Sequence, residues 1–242
     1  MWTLAIDTST KTASVALLQN SEVIIEIFTN LGTNHSTVLL PIVENLCNIS
    51  GVKVGEMDLY VCTIGPGSFT GIRTGVSTVK GFAIATGKPV VGVSTLDALA
   101  LNLAASRITV CPMLDARKNQ VYTALYRMKG NNISEKISQE RATDIKDFLQ
   151  CVDEEVIFLG DGAEKYEGII REELPGKSYF TIGTQNCVRA SMAGLLGENK
   201  FRNGEGMDPV SLMPRYLRRS DAELKMTESH LDKHEKLTSR VN

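Results

Sequence analysis

Apolar and polar positions along the chain group into short runs that read alternately as strands and helices. Residues 3–6 are an apolar run closed by Asp7-Thr8-Ser9-Thr10. Strand-like runs follow at 13–18 and 23–29, with Gln19-Asn20-Ser21 as the turn between them. Three successive strands predict an antiparallel meander. A helix is predicted over 35–49, where Leu39, Ile42, Val43 and Leu46 recur at three- and four-residue spacing. Ser36 is its expected cap, with Pro41 within the first turn or so. Residues 59–64 are β-rich and almost wholly apolar, which suits a strand buried on both faces. They lead into GPGSFTGIRTG, residues 65–75. A helix over 68–86, a buried strand over 89–93 and a helix over 96–105 complete the first half.

The second half repeats this scheme loosely. An apolar run at 108–114 ends in Asp115, and strand-like runs follow at 121–126 and 133–139. A helix at 143–151 precedes a buried strand at 156–159, the turn Gly160-Asp161-Gly162 and a helix at 163–173. The order strand–Asp, strand, strand, helix, strand–glycine turn, helix thus occurs twice. It predicts two related α/β lobes, 1–105 and 106–223, with a polar tail at 224–242. Residues 213–223, MPRYLRRSDAE, mix apolar anchors with arginines, and the tail alternates in charge as a solvated helix or frayed end does.

Composition excludes several function classes. The 242 residues are 43% hydrophobic and 22% charged, with a formal net charge of −2, so no broad basic field covers the chain. That argues against an autonomous nucleic-acid binder, because phosphate neutralisation supplies most non-specific affinity. An RNA-related role needs another subunit to carry the contacts. The five cysteines, Cys47, Cys62, Cys111, Cys151 and Cys187, are widely spaced and contain no C-x-x-C. This argues against a disulfide framework or a zinc knuckle, and Cys62 reads as a packed small hydrophobe. The N-terminus lacks a basic region before a long apolar run, and no uninterrupted apolar stretch reaches the length of a membrane span. The expectation is a soluble, cytoplasmic protein.

The glycine-rich stretch matches neither named phosphate motif. A P-loop needs G-x-x-x-x-G-K-[ST], which is absent, and in G-x-G-x-x-G the last glycine is replaced here by Thr70. Two readings stay open for Gly65-Pro66-Gly67-Ser68: an anion site on free N–H groups, or a tight strand-to-helix turn with Ser68 as N-cap. Gly67, Gly71 and Gly75 lie four apart and so near one line of a helix. Gly71, Gly75 and Gly81 fall inside the predicted helix and together cost about 3 kcal/mol against alanine. The usual offset is a backbone that packs very close, from the same lobe or from another chain.

The segments LAIDTST, IGPGSFTGIRTGVSTVKGFA, VGVSTLDALA, LDARKNQVY and PRYLR resemble the TsaB family across residues 3 to about 223. That family is the non-catalytic partner in bacterial threonylcarbamoyladenosine synthesis on tRNA, and GPGSFTGIR is specific to it and its paralogue TsaD. The resemblance implies an α/β, two-lobed fold of the actin, sugar-kinase and heat-shock ATPase superfamily, a duplicated RNase H-like fold. It implies a heterodimer with TsaD, the catalytic subunit, and cooperation with the ATPase TsaE. Together these attach a threonylcarbamoyl group, made as an adenylate elsewhere, to the adenosine beside the anticodon, so tRNA is met only through the complex. The family interface falls on the helices at about 35–49 and 69–86. In this sequence that implicates His35, Leu39, Leu40, Val43, Leu46, Phe69, Gly71, Arg73, Thr74, Gly75 and Thr78. A homodimer through the same surface is the expectation for the chain alone.

The resemblance also implies what has been lost. In TsaD two histidines four apart bind a metal; Thr95 and Leu99 take those places here, and neither replaces an imidazole. Superfamily nucleotide sites use an Asp in the first turn of each lobe, flanked by glycine. Asp7 and Asp115 stand there, but Thr8-Ser9 and Ala116-Arg117 follow them. Asp7 reads as a turn or cap residue, and Asp115 as paired with Arg117 or a nearby amide. Asp7, Ser9, Asp115, Gly160 and Gly162 are then the remains of a nucleotide site. His230 and His234 have metal-like spacing but no third ligand, and Ser68 has no triad histidine. The expected protein has no catalytic residues, metal or cofactor of its own. The alternative is an active ATP-dependent kinase or ATPase of the same fold.

Overall fold

The computed structural model describes residues 1–32, 34–129 and 134–218. The expected tail at 224–242, with His230 and His234, lies outside the described residues, as does Ile133. The first sheet is formed by β1 (Trp2–Asp7), β2 (Ala13–Gln19), β3 (Glu22–Thr29), β4 (Leu59–Thr63) and β5 (Val90–Val93), in the order β3-β2-β1-β4-β5. The meander β1–β2–β3 is antiparallel, as its short polar turns require, while β4 and β5 add in parallel after helical crossovers. The second sheet is formed by β6 (Thr109–Arg117), β7 (Gln120–Thr123), β8 (Tyr126–Met128), β9 (Ser134–Lys136), β10 (Arg141–Asp144), β11 (Val156–Leu159) and β12 (Ser178–Phe180). Its order β10-β7-β6-β11-β12 repeats that of the first, with β8 and β9 as a side hairpin.

That hairpin is where the structure departs from the sequence pattern. The run at 121–126 divides into β7 and β8, and the third strand of the repeat is β10, not 133–139. Only the middle of the expected helix at 143–151 is helical, as α4 (Ile145–Leu149), since residues 141–144 pair with β7.

Helices α1 (His35–Ser50) and α2 (Phe69–Thr86) cover one face of the first sheet. Asn34, not Ser36, caps α1: its side chain accepts from the Ser36 amide at 3.3 Å. Pro41 sits in the second turn on the exposed side. Leu39, Val43 and Leu46 face the sheet with Leu4, Ile6 and Val15, each buried leucine contributing about 1.5–3 kcal/mol. The opposite face is covered by α3 (Thr95–Ala100) and α7 (Ala190–Arg202) and joins the second sheet in one core, where Ala5 and Val61 meet Leu99, Val110 and Leu159. Beyond the second sheet, α4, α5 (Asp161–Lys165) and α6 (Glu167–Glu173) enclose Phe148, Phe158 and Ile170.

The sequence pattern left α7 unassigned. Its buried residues are Ala190, Ser191, Ala193, Gly194, Gly197 and Glu198, and a Cβ on either glycine would strike Leu18 or Val61. After α7, residues 207–218 form a strap that returns along α2, so residues 190–218 pack on the first sheet although they follow the second in sequence.

Candidate functional site

Two regions collect the residues singled out from the sequence: a cleft between the lobes and the outer face of α1 and α2. The cleft encloses about 620 Å³. The first lobe lines it with Ser9, Lys11 and Ser68, the second with Arg117 and Tyr122, and the strap with Tyr216.

Asp7 ends β1 beneath the cleft, with its side chain wholly buried. Its Oδ1 accepts from the Ser9 hydroxyl and the Thr63 hydroxyl, both at 2.6 Å, and from the Ser9 amide at 3.2 Å. Its Oδ2 is buried without a donor. Burial raises the carboxyl pKa to about 6, although the Ser9 and Thr63 hydrogen bonds pull the other way.

The glycine-rich turn packs on the residues that follow Asp7. The Ser68 amide donates to the Ser9 carbonyl at 2.7 Å, and the Thr8 hydroxyl donates to the Gly71 carbonyl at 2.8 Å. A Cβ at Gly67 would collide with the Ser9 carbonyl, and one at Gly71 with the Thr8 carbonyl. One at Gly75 would meet Thr8 Oγ1 at 2.6 Å. The close-packing backbone that the stripe demanded is therefore supplied by the same lobe. Ser68 does cap α2, its hydroxyl accepting from the Gly71 amide at 3.3 Å. The Ser9 carbonyl thus takes the Ser68 amide, one of the N–H groups on which the anion reading relied. Gly81 is different: nothing lies within 4 Å of its Cβ position.

Across the cleft, Asp115 is held as its sequence context suggested and further engaged. Its Oδ1 accepts from the Arg117 amide at 2.9 Å and the Tyr166 hydroxyl at 3.3 Å, and Lys165 pairs with Oδ2 at 2.7 Å. Asp161 accepts from the Asp115 amide at 3.1 Å, and burial raises its pKa. Gly160 and Gly162 press against the backbone of Met113 and Leu114, an approach that leaves no room for a side chain. Thr95 and Leu99 are wholly buried in α3. Among the described residues, no three His, Cys, Asp or Glu side chains are grouped to hold a metal, and no helix is long and apolar enough to cross a membrane.

The residues assigned to an interface divide by exposure. Leu39, Val43, Leu46, Gly71 and Gly75 are buried within the chain. His35 is half-buried at the cleft edge, its Nε2 hydrogen-bonded to the Thr10 carbonyl at 2.7 Å. Thr74 and Thr78 are half-buried, while Leu40 is 55% exposed. Phe69 lies under the strap: the Tyr216 ring stacks on it at 4.7 Å and the Arg73 guanidinium sits 3.8 Å from its centre. Arg73 Nε also donates to the Tyr216 hydroxyl at 2.9 Å. Sequence reasoning left Tyr216 and the 61%-exposed Ile84 out of this surface. The aromatic residue between arginines in MPRYLRR was the one available sign of the former.

The family model for TsaD, tRNA N6-adenosine threonylcarbamoyltransferase, matches residues 29–226. The tRNA threonylcarbamoyladenosine biosynthesis protein TsaB of Bacillus subtilis (strain 168) is 36% identical over 95% of this chain and 99% of its own. TsaB of Escherichia coli (strain K12) is 35% identical over 54% of this chain and 57% of its own. Among solved structures, YeaZ from Pseudomonas aeruginosa superposes with a TM-score of 0.78 at 27% identity, covering 89% of this chain and 99% of that one. Component A of the (R)-2-hydroxyglutaryl-CoA dehydratase of Acidaminococcus fermentans gives a TM-score of 0.51 at 12% identity, over 83% of this chain and 98% of its own, a likeness of fold alone.

Proposed function

Because the chain belongs to the TsaB family of tRNA threonylcarbamoyladenosine biosynthesis proteins, we propose that it serves that modification as a non-catalytic subunit, paired with a TsaD-like catalytic subunit and working with a TsaE-like ATPase. One observation carries the non-catalytic reading. The Ser68 amide at the start of α2 is taken by the chain's own Ser9 carbonyl at 2.7 Å. An amide engaged in this way is not offered to a phosphate. With Asp115 committed to Lys165 and Arg117, little of a phosphate-transfer site remains. Threonylcarbamoyl transfer and contact with tRNA then belong to the partner.

The docking surface in this reading is the outer side of α1 and α2. The exposed crest of α2 carries Thr70, Arg73, Ser77, Gly81 and Ile84, and α1 presents Leu40 on its exposed side. Such a low-charge strip suits the core of a protein interface, and a stable one would bury about 1,200–2,000 Å². The same strip is available to a second copy when the partner is absent.

The test is co-purification with a TsaD-like subunit. Leu40→Arg and Ile84→Arg alter side chains 55% and 61% exposed, so each should fold with an unchanged melting temperature. Both are expected to be lost from the complex. Retention of both at wild-type level would remove α1 and α2 from the interface. Gly71→Arg is unsuitable, because it would strike the Thr8 carbonyl and report on folding.

A further inference from the structure

The strap is fastened along its whole length. Met207 forms a bridge with Val90 on the free edge of β5, with N–H···O distances of 3.0 and 3.2 Å. Leu212 is buried beside Ile64 and Gly92. Lys80 of α2 donates to the carbonyls of Val210 at 3.0 Å and Leu212 at 3.2 Å. The Arg215 amide donates to the Ile64 carbonyl at 2.7 Å, and Tyr216 covers Phe69. Its exposed large hydrophobic side chains are Val210, 69% exposed, Met213, 64% exposed, and Tyr216, 40% exposed at the rim of the cleft.

One of its fastenings comes from the second lobe. The side chain of Glu140 is wholly buried between the lobes. Its Oε1 accepts from the Ser94 hydroxyl at 2.6 Å and meets Lys136, which also pairs with Asp97 at 2.8 Å. Its Oε2 faces the Arg215 guanidinium at 2.8 Å, an ion pair without the alignment of a hydrogen bond. Only the Glu140 carboxylate of this group is fully buried, so removing a partner leaves its charge less compensated.

We infer that the strap is a third wall of the partner face, meeting the TsaD-like subunit through Val210, Met213 and Tyr216, and that Glu140 is a positioning residue that holds this wall from the second lobe. This rests on the reading of α1 and α2 as the docking surface. The strap flanks the exposed crest of α2: Arg73 touches Tyr216, and Lys80, one turn before Ile84, holds Val210. A partner approaching the start of α2 therefore meets Tyr216 before Phe69. The exposed side chains are also of the kind that interface cores favour, with Tyr, Met and Arg enriched there and Lys and acidic residues depleted.

The experiment measures binding of the full chain to the catalytic subunit by calorimetry. The double variant Val210→Arg with Met213→Arg is expected to melt as the wild type does and to bind at least tenfold more weakly. Glu140→Gln acts at a distance. On the chain alone it should speed hydrogen exchange at the Arg215 amide, and it should weaken partner binding without altering exchange in α1. Arg215→Met, which removes the same contact from the other side, should reproduce both effects if Glu140→Gln fails to fold. Wild-type affinity of the strap variant, with Leu40→Arg and Ile84→Arg defective, overturns the third wall and leaves the helix interface standing. Wild-type affinity of all three overturns both. Tighter binding by the strap variant would make the strap a competitor for the surface, which also overturns the inference. Unchanged exchange at Arg215 in both lock variants overturns the role of Glu140.

Discussion

At the scale of single residues, Asp7 has the clearest physical consequence. A carboxylate at the end of an apolar run was visible in the sequence, and its role as a local turn residue followed from the serine and threonine around it. Its complete burial was not visible, because that depends on β4 bringing Thr63 alongside and on α2 closing above. Burial raises its pKa from 3.8 to about 6, so the folded chain holds this proton more tightly than the unfolded chain does. The resulting stability is fully present below pH 4 and is lost as pH rises through 6. Asn keeps the same shape without the charge. Asp7→Asn is expected to exceed the wild type in stability at pH 7, by at most on the order of 3 kcal/mol, and to match it near pH 4. Denaturant titrations of both proteins across this range would show it; a stability difference independent of pH would contradict the assignment of a buried charge.

Among the elements, α2 shows how equal sequence signals acquire opposite meanings. Each internal glycine carries the same propensity cost, about 1 kcal/mol against alanine. A Cβ at Gly71 would collide with the fixed backbone of Thr8, whereas one at Gly81 has open space. Gly81→Ala should therefore stabilise the chain by about 1 kcal/mol, and Gly71→Ala should destabilise it, as read by thermal melting. A stable Gly71→Ala variant would mean that the turn after β1 does not bear on α2. The missed helix α7 follows from the same physics. Its inner face combines alanine, serine and glycine with the buried Glu198, so small and polar residues stand where a stripe of large apolar ones would be read. Leu39, Val43 and Leu46 were legible as one face of α1, but the chain's own sheet takes that face and leaves Leu40 for others.

For the whole molecule, the repeated order of elements became two sheets with the same strand order, β3-β2-β1-β4-β5 and β10-β7-β6-β11-β12. The cleft between the lobes is where the sequence reading put the remains of a nucleotide site. Here the Ser9 carbonyl takes the Ser68 amide and Lys165 engages Asp115. Calorimetry with ATP and magnesium is expected to show no micromolar binding and no turnover; saturable binding with hydrolysis would favour the kinase or ATPase alternative. The sequence by itself determined the repeat, the strand-to-helix turns and the absence of both named phosphate motifs, because these depend on spacing within short segments. Only the tertiary structure decided what lies against Gly67, Gly71 and Gly75, where residues 190–218 return, and which side chains stay exposed. Those outcomes depend on contacts between segments far apart in the chain, such as Ser9 with Ser68 and Glu140 with Arg215, and no local pattern encodes them.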